Sequence, residues 1–144
     1  MFDVSRFFGK GDRNTLLMKN GLNFSYNGPY SVVEDGLVMD QFHVNTFTTA
    51  EYTISVDYDT NNKEILKVLV SASPNQSSLS IYGRSNLGAN LIKIDSEVNN
   101  SYVRILINPA DKTQTEKYTG SKLIFSATYF ATQNALVGGS QVTQ

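Results

Sequence analysis

One histidine and no cysteine stand among the 144 residues, and those two counts already narrow the chemistry available. His43, in the alternating run Phe42-His-Val-Asn-Thr-Phe47, cannot supply a multi-histidine metal site alone, and there is no thiolate to complete one. It is read as a strand or strand-edge histidine without a catalytic role. Asp57-x-Asp59-x-Asn61 matches the opening of a calcium loop, where oxygens at the first, third and fifth positions surround the ion. Asn62 and Val68 stand where that loop requires glycine and a bidentate glutamate, so a solvated hairpin connection is predicted instead. Asp95 and Glu97 are the carboxylate pair a glycosidase could use, but two acids in one phase of an alternating strand are the ordinary way to face water. No Gly-x-Ser-x-Gly elbow, phosphate-binding glycine loop or dinucleotide fingerprint occurs. The chain is therefore expected to be no enzyme, with no catalytic, metal or cofactor site and no cofactor.

The aromatic residues allow another kind of chemistry. Eight Tyr and eight Phe with no Trp could stack on sugars from a sheet surface. Tyr52, Tyr58 and Tyr102 are more simply explained as core or interface rim, so glycan binding is kept as an alternative and not as the first reading.

Bulk composition restricts partners. The formal net charge of -1 creates no long-range positive field, so neither nucleic acid nor an anionic membrane surface is expected. No stretch approaches the roughly 18 apolar residues of a spanning helix, and residues 1–20 lack the apolar block of a secretion signal, so the chain is expected to be made and kept in the cytoplasm. The sequons at Asn23, Asn75 and Asn99 are read as chance in a chain rich in Asn and Ser. Residues are 40% hydrophobic and only 17% charged, with uncharged polar residues filling the gap. Those side chains bond to nearby backbone and compete with helix formation, which leans towards strands and turns.

The elements follow from local pattern. Residues 1–14 carry Phe2, Phe7 and Phe8 beside Arg6, Lys10 and Arg13, broken by glycines, and are read as an arm that must dock on its own core or on a neighbouring subunit. Asn20-Gly21 and Asp35-Gly36 each sit between short apolar runs and predict two hairpins. Tyr52, Ile54, Val56 and Tyr58 alternate with polar residues as a half-buried strand does. Further strands are predicted at Ile65–Val70, Leu79–Tyr82, Leu91–Asp95, Tyr102–Asn108 and Lys122–Phe130, with a loop from Gly83 to Asn90 and a turn at Asn99-Asn100. The whole is predicted to be all-β: one antiparallel β-sandwich of seven to ten strands over residues 15–132, with a flexible C-terminal tail over 133–144. Its core is predicted to include Ile54, Val56, Val68, Val70, Ile81, Ile92, Val103, Ile105 and Phe125.

The segment from Phe42 to Phe130 resembles a β-sandwich module that recurs in virion proteins of T4-like, cyanophage-type tailed bacteriophages. The similarity runs through Asp40-Gln-Phe42, Phe47-Thr-Thr-Ala-Glu-Tyr-Thr-Ile-Ser-Val56, Ile65-Leu-Lys-Val-Leu-Val70, Leu79-Ser-Ile-Tyr-Gly83, Leu91-Ile-Lys-Ile-Asp95 and Tyr102-Val-Arg-Ile-Leu-Ile-Asn-Pro-Ala110. Thr48 and Thr49 replace a basic residue of the family, and Ser73-Pro-Asn-Gln76 replaces its aspartate-glycine turn. The resemblance implies a non-enzymatic virion protein, tail-associated (neck, baseplate or fibre), that contacts other virion proteins and copies of itself. A capsid decoration protein or a glycan-binding receptor module is the alternative. It also implies assembly into the virion inside the host cytoplasm.

Overall fold

The computed structural model describes residues 15–18, 21–33, 35–110 and 119–131. Nine strands run through them: β1 (Thr15–Met18), β2 (Gly21–Ser31), β3 (Leu37–His43), β4 (Phe47–Asp59), β5 (Asn62–Ala72), β6 (Ser77–Leu87), β7 (Ile92–Asn99), β8 (Tyr102–Pro109) and β9 (Lys122–Ala131). They form a six-stranded sheet in the order β1-β2-β9-β4-β5-β6 and a three-stranded sheet in the order β3-β8-β7. Every pairing is antiparallel. The two sheets pack as a sandwich, as the periodicity predicted.

Alternation sets the inner faces. On β4, Ala50, Tyr52, Ile54 and Val56 are buried, on β5 Leu66, Val68 and Val70, and on β9 Leu123, Phe125, Ala127 and Tyr129. The smaller sheet answers with Val103, Ile105 and Ile107 of β8, Ile92 of β7, and Met39 and Phe42 of β3. β-Branched and aromatic side chains dominate these positions because they fill a pleated, half-buried surface well.

Four local readings need correction. Ile81 pairs with Val68 and shares its face, yet Ile81 is 39% exposed where Val68 is 0% exposed. β6 is an edge strand, and three strands cannot cover the inner face of six. Asp35-Gly36 does turn tightly, with Gly36 at φ 97 and its N–H donating to Val33 O at 3.0 Å. It makes no hairpin, however, because β2 lies in the larger sheet and β3 in the smaller. Val32, fully buried, donates to Ser121 O at 2.8 Å and accepts from Gly120 N at 2.7 Å, which anchors the chain where it crosses between sheets. The predicted loop from Gly83 is strand up to Leu87: Arg84, Ser85 and Asn86 follow β5 through backbone pairing, which their polar side chains do not prevent. Finally, Gly21 pairs with Met18 and so belongs to β2, not to the turn that Asn20-Gly21 predicted.

The β7–β8 hairpin closes with Asn99 paired to Tyr102, leaving Asn100 at φ 53 and Ser101 at φ 65 as its two central residues. Both adopt the left-handed conformation a type I′ turn demands, which asparagine tolerates and serine does not favour. Ser101→Gly is expected to raise stability by about 0.5–1 kcal/mol, read as a shift in the denaturant midpoint without change of slope. The carbonyl that receives Val44 N at 2.9 Å belongs to the backbone and survives the change.

Candidate functional site

The arm residues Phe2, Arg6, Phe7, Phe8, Lys10 and Arg13 lie outside the described residues, as does the tail over 133–144. The other singled-out groups are dispersed. His43 ends β3; its Nδ1 accepts the Asn45 N–H at 3.0 Å and its ring stands edge-on to Tyr102, centroids 4.8 Å apart. It holds the Val44–Thr46 turn. Asp59 Oδ1 accepts from Asn61 N at 2.8 Å and Asn62 Nδ2 at 2.9 Å, while Asp57 pairs with Lys63 at 2.8 Å. Those oxygens build the β4–β5 connection. Asp95 accepts from Ser96 N at 2.8 Å, and Glu97 meets Arg104 Nη1 at 3.3 Å, so the two acids have separate local partners. Among the described residues, no group of three or more His, Asp or Glu is placed to hold a metal ion, and no helix is long and apolar enough to cross a membrane.

Two acids that the sequence reading did not single out lie between the sheets. Asp40 of β3 takes an inward position beside a bulge, and its Oδ2 receives the hydroxyls of Tyr52 (2.6 Å) and Tyr129 from the opposite sheet. Burial pushes its carboxyl above the ordinary range, against the opposing pull of those hydroxyls and the Gln41 N–H; burial and the nearby carboxylate raise both phenols too. Glu64 of β5 is buried, and its Oε2 receives the Leu91 N–H at 2.8 Å and Asn86 Nδ2 at 3.3 Å, with Arg84 Nη1 at 3.6 Å. Burial raises this carboxyl as well, opposed by the Leu91 N–H and Arg84. Each acid ties one sheet to the other. The signal for both was phase: Asp40 lies two residues before Phe42 and Glu64 two before Leu66, each in the inward register.

A raised folded value means that the native state holds the proton where the unfolded chain has lost it. The stability from such a group is full below the unfolded carboxyl value and is lost as pH rises through the folded one. Asp40→Asn removes that titration while its amide oxygen can still receive both hydroxyls. The unfolding free energy of the variant minus that of the native protein should therefore increase from pH 4 to pH 7. Denaturant melts across that range measure it, and a constant difference would contradict the assigned cause.

Two surfaces remain. An open cleft of about 680 Å³ between β6 and β7 has Arg84, Asn90, Lys93 and Asp95 around Ile81 and Ile94. It holds cations, an amide and an acid, but no nucleophile beside a base. The outer face of the larger sheet differs. Ile65 and Leu69 of β5, Leu87 of β6, and Ile124 and Phe130 of β9 are exposed there, from 37% at Ile124 to 55% at Leu87. Between them the face is mostly serine and threonine, and Tyr82 reaches over it from β6 to donate its hydroxyl to Glu51 of β4.

No family model and no curated protein matches the chain. Among solved structures it is similar to three tailspike proteins of phages infecting Acinetobacter. With the Acinetobacter baumannii phage AM24 tailspike it shares 11% identity over 75% of this chain and 25% of that one, at a TM-score of 0.41. The figures for the Acinetobacter baumannii bacteriophage Fri1 tailspike, described as a capsular polysaccharide depolymerase, are 9%, 88%, 21% and 0.49. For the Acinetobacter phage vB_ApiP_P1 tailspike they are 16%, 88%, 25% and 0.44. The chain thus spans a quarter or less of the length of these tailspikes.

Proposed function

We propose that the chain is a non-catalytic structural module of a tailed-phage particle, tail-associated, which works by contacting copies of itself and other virion proteins. The observation that carries the contact role is the outer face of the larger sheet, where five large apolar side chains stand in water on a strand-built surface. Single exposed apolar residues are ordinary on a protein surface; here five share one face of one sheet, set among small serines and threonines, and that concentration supports a contact role. The particle itself is suggested by the resemblance of Phe42–Phe130 to a phage virion module. Two further facts favour a scaffold over catalysis or sugar binding. The buried acids are engaged in tying the sheets together. Of the exposed tyrosines, Tyr102 belongs to the smaller sheet and Tyr58 and Tyr82 to β4 and β6 of the larger, and the Tyr82 hydroxyl is already bound to Glu51.

Quantitative mass spectrometry of purified particles tests this reading, together with an assay for reducing ends after the purified chain is incubated with host polysaccharide. A fixed copy number per particle and no release of reducing ends are expected. Absence from the particle, or release of reducing ends, would refute it.

A further inference from the structure

Register maps the exposed face of the larger sheet into five rows across β9, β4, β5 and β6. They run Lys122-Asp57-Lys63-Leu87, Ile124-Ser55-Ile65-Ser85, Ser126-Thr53-Lys67-Gly83, Thr128-Glu51-Leu69-Ser80 and Phe130-Thr49-Ser71-Ser78. We infer that this face is the contact between two copies of the chain, related by a two-fold axis parallel to the strands and running between β4 and β5. The inference rests on the structural-module reading and deepens it by naming the partner.

The pattern of sizes and charges carries the argument. Such an axis lays β4 of one copy over β5 of the other, and β9 over β6. Three of the five large apolar side chains then meet serines, Ile124 over Ser85, Ile65 over Ser55 and Phe130 over Ser78, while Leu69 and Leu87 lie against the stems of Glu51 and Lys122. Asp57 meets Lys63, so the ion pair already present within each chain at 2.8 Å becomes a ring of four alternating charges. Where Phe130 of the second copy arrives, the face has a dip of about 470 Å³, lined by Leu69, Ser71, Ser78 and Ser80 on one side and by Thr49, Glu51 and the chain's own Phe130 on the other. An aromatic ring seated on the β6 side of that hollow, beside Ser78 and Ser80 and opposite the resident Phe130, is the knob-and-hole fit a self-complementary interface needs. The other in-plane axis, across the strands, would set each strand over itself and place Lys67 against Lys67.

The extent also suits a dimer. Four strands about 4.8 Å apart, with five rows about 7 Å apart, present roughly 600 Å² in projection. A corrugated face offers more area than its projection, and a standard interface takes roughly 800 Å² per partner. The Ser and Thr positions let the two sheets approach around Tyr82, which lies over the face towards Glu51, and Lys63 and Lys122 of the end row can extend their ammonium groups to the rim, while Lys67 stays in the middle row over Thr53.

Sedimentation equilibrium of the full chain measures the association without any particle, so it can fail while particle incorporation succeeds, and the reverse. A concentration-dependent dimer is expected, weakened about ten-fold or more by Ile65→Lys. A monomer at about 100 μM would overturn the inference, as would an Ile65→Lys variant that dimerises like the native chain. The absence of cysteine makes the orientation testable as well. Ser55→Cys and Ile65→Cys chains, mixed and mildly oxidised, should cross-link to each other in preference to themselves. Self-linked Ser55→Cys dimers predominating over the mixed species would overturn the proposed axis.

Discussion

Truncating Ile105 to alanine is expected to cost about 2–5 kcal/mol of unfolding free energy, while the same truncation at Ile81 should cost less than about 1 kcal/mol. Both residues are isoleucines in alternating strands, and both point to an inner face. Ile105 is fully buried at the middle of β8, the central strand of the smaller sheet, and removing its methyl groups leaves a cavity enclosed by both sheets. Ile81 lies on β6, the outermost strand of the larger sheet, beside the open cleft, so water can fill the space its side chain leaves. Denaturant unfolding of the two variants at equal slope gives the comparison. Equal costs would mean that something covers the inner side of β6, against the three-over-six architecture.

Glu64→Ala is the second large effect, about 2–4 kcal/mol. Leu91 is fully buried at the start of the smaller sheet, and the Glu64 side chain satisfies its N–H from across the sandwich. Alanine would leave that donor without an acceptor and open a cavity beneath the connection from β6 to β7. Gly88 helps to shape that connection: it adopts φ 87, and a Cβ there would collide with the Asn62 side chain. Glu64→Gln should lose less than half as much. Its amide oxygen can replace Oε2, and the Oε1 that becomes the amide nitrogen has no hydrogen-bond partner to lose. Exchange protection of the Leu91 amide separates the two cases: it should fall in the alanine variant and persist in the glutamine variant. Equal loss in both would show that charge, and not the acceptor, holds the connection.

The sheet-forming pattern and most of the core were legible along the chain, because inward and outward residues alternate strictly wherever a strand has one wet face. Ile54, Val56, Val68, Val70, Ile92, Val103, Ile105 and Phe125 are all buried as that period requires. The same period held the inward phase of Asp40 and Glu64. Their partners Tyr52, Tyr129 and Leu91 are supplied from across the sandwich, so their roles as ties appear only once the two sheets are stacked. Local sequence likewise specified the turn at Gly36 but not where it led. Strand assignment to a sheet depends on distant pairings, such as Val32 with Ser121 and β2 with β9, and no neighbouring residue encodes them. The division into six strands and three was decided at the same level. It left Ile81 in an inward register at the mouth of an open cleft, because burial depends on what the facing sheet covers, whereas periodicity reports only which way a side chain points.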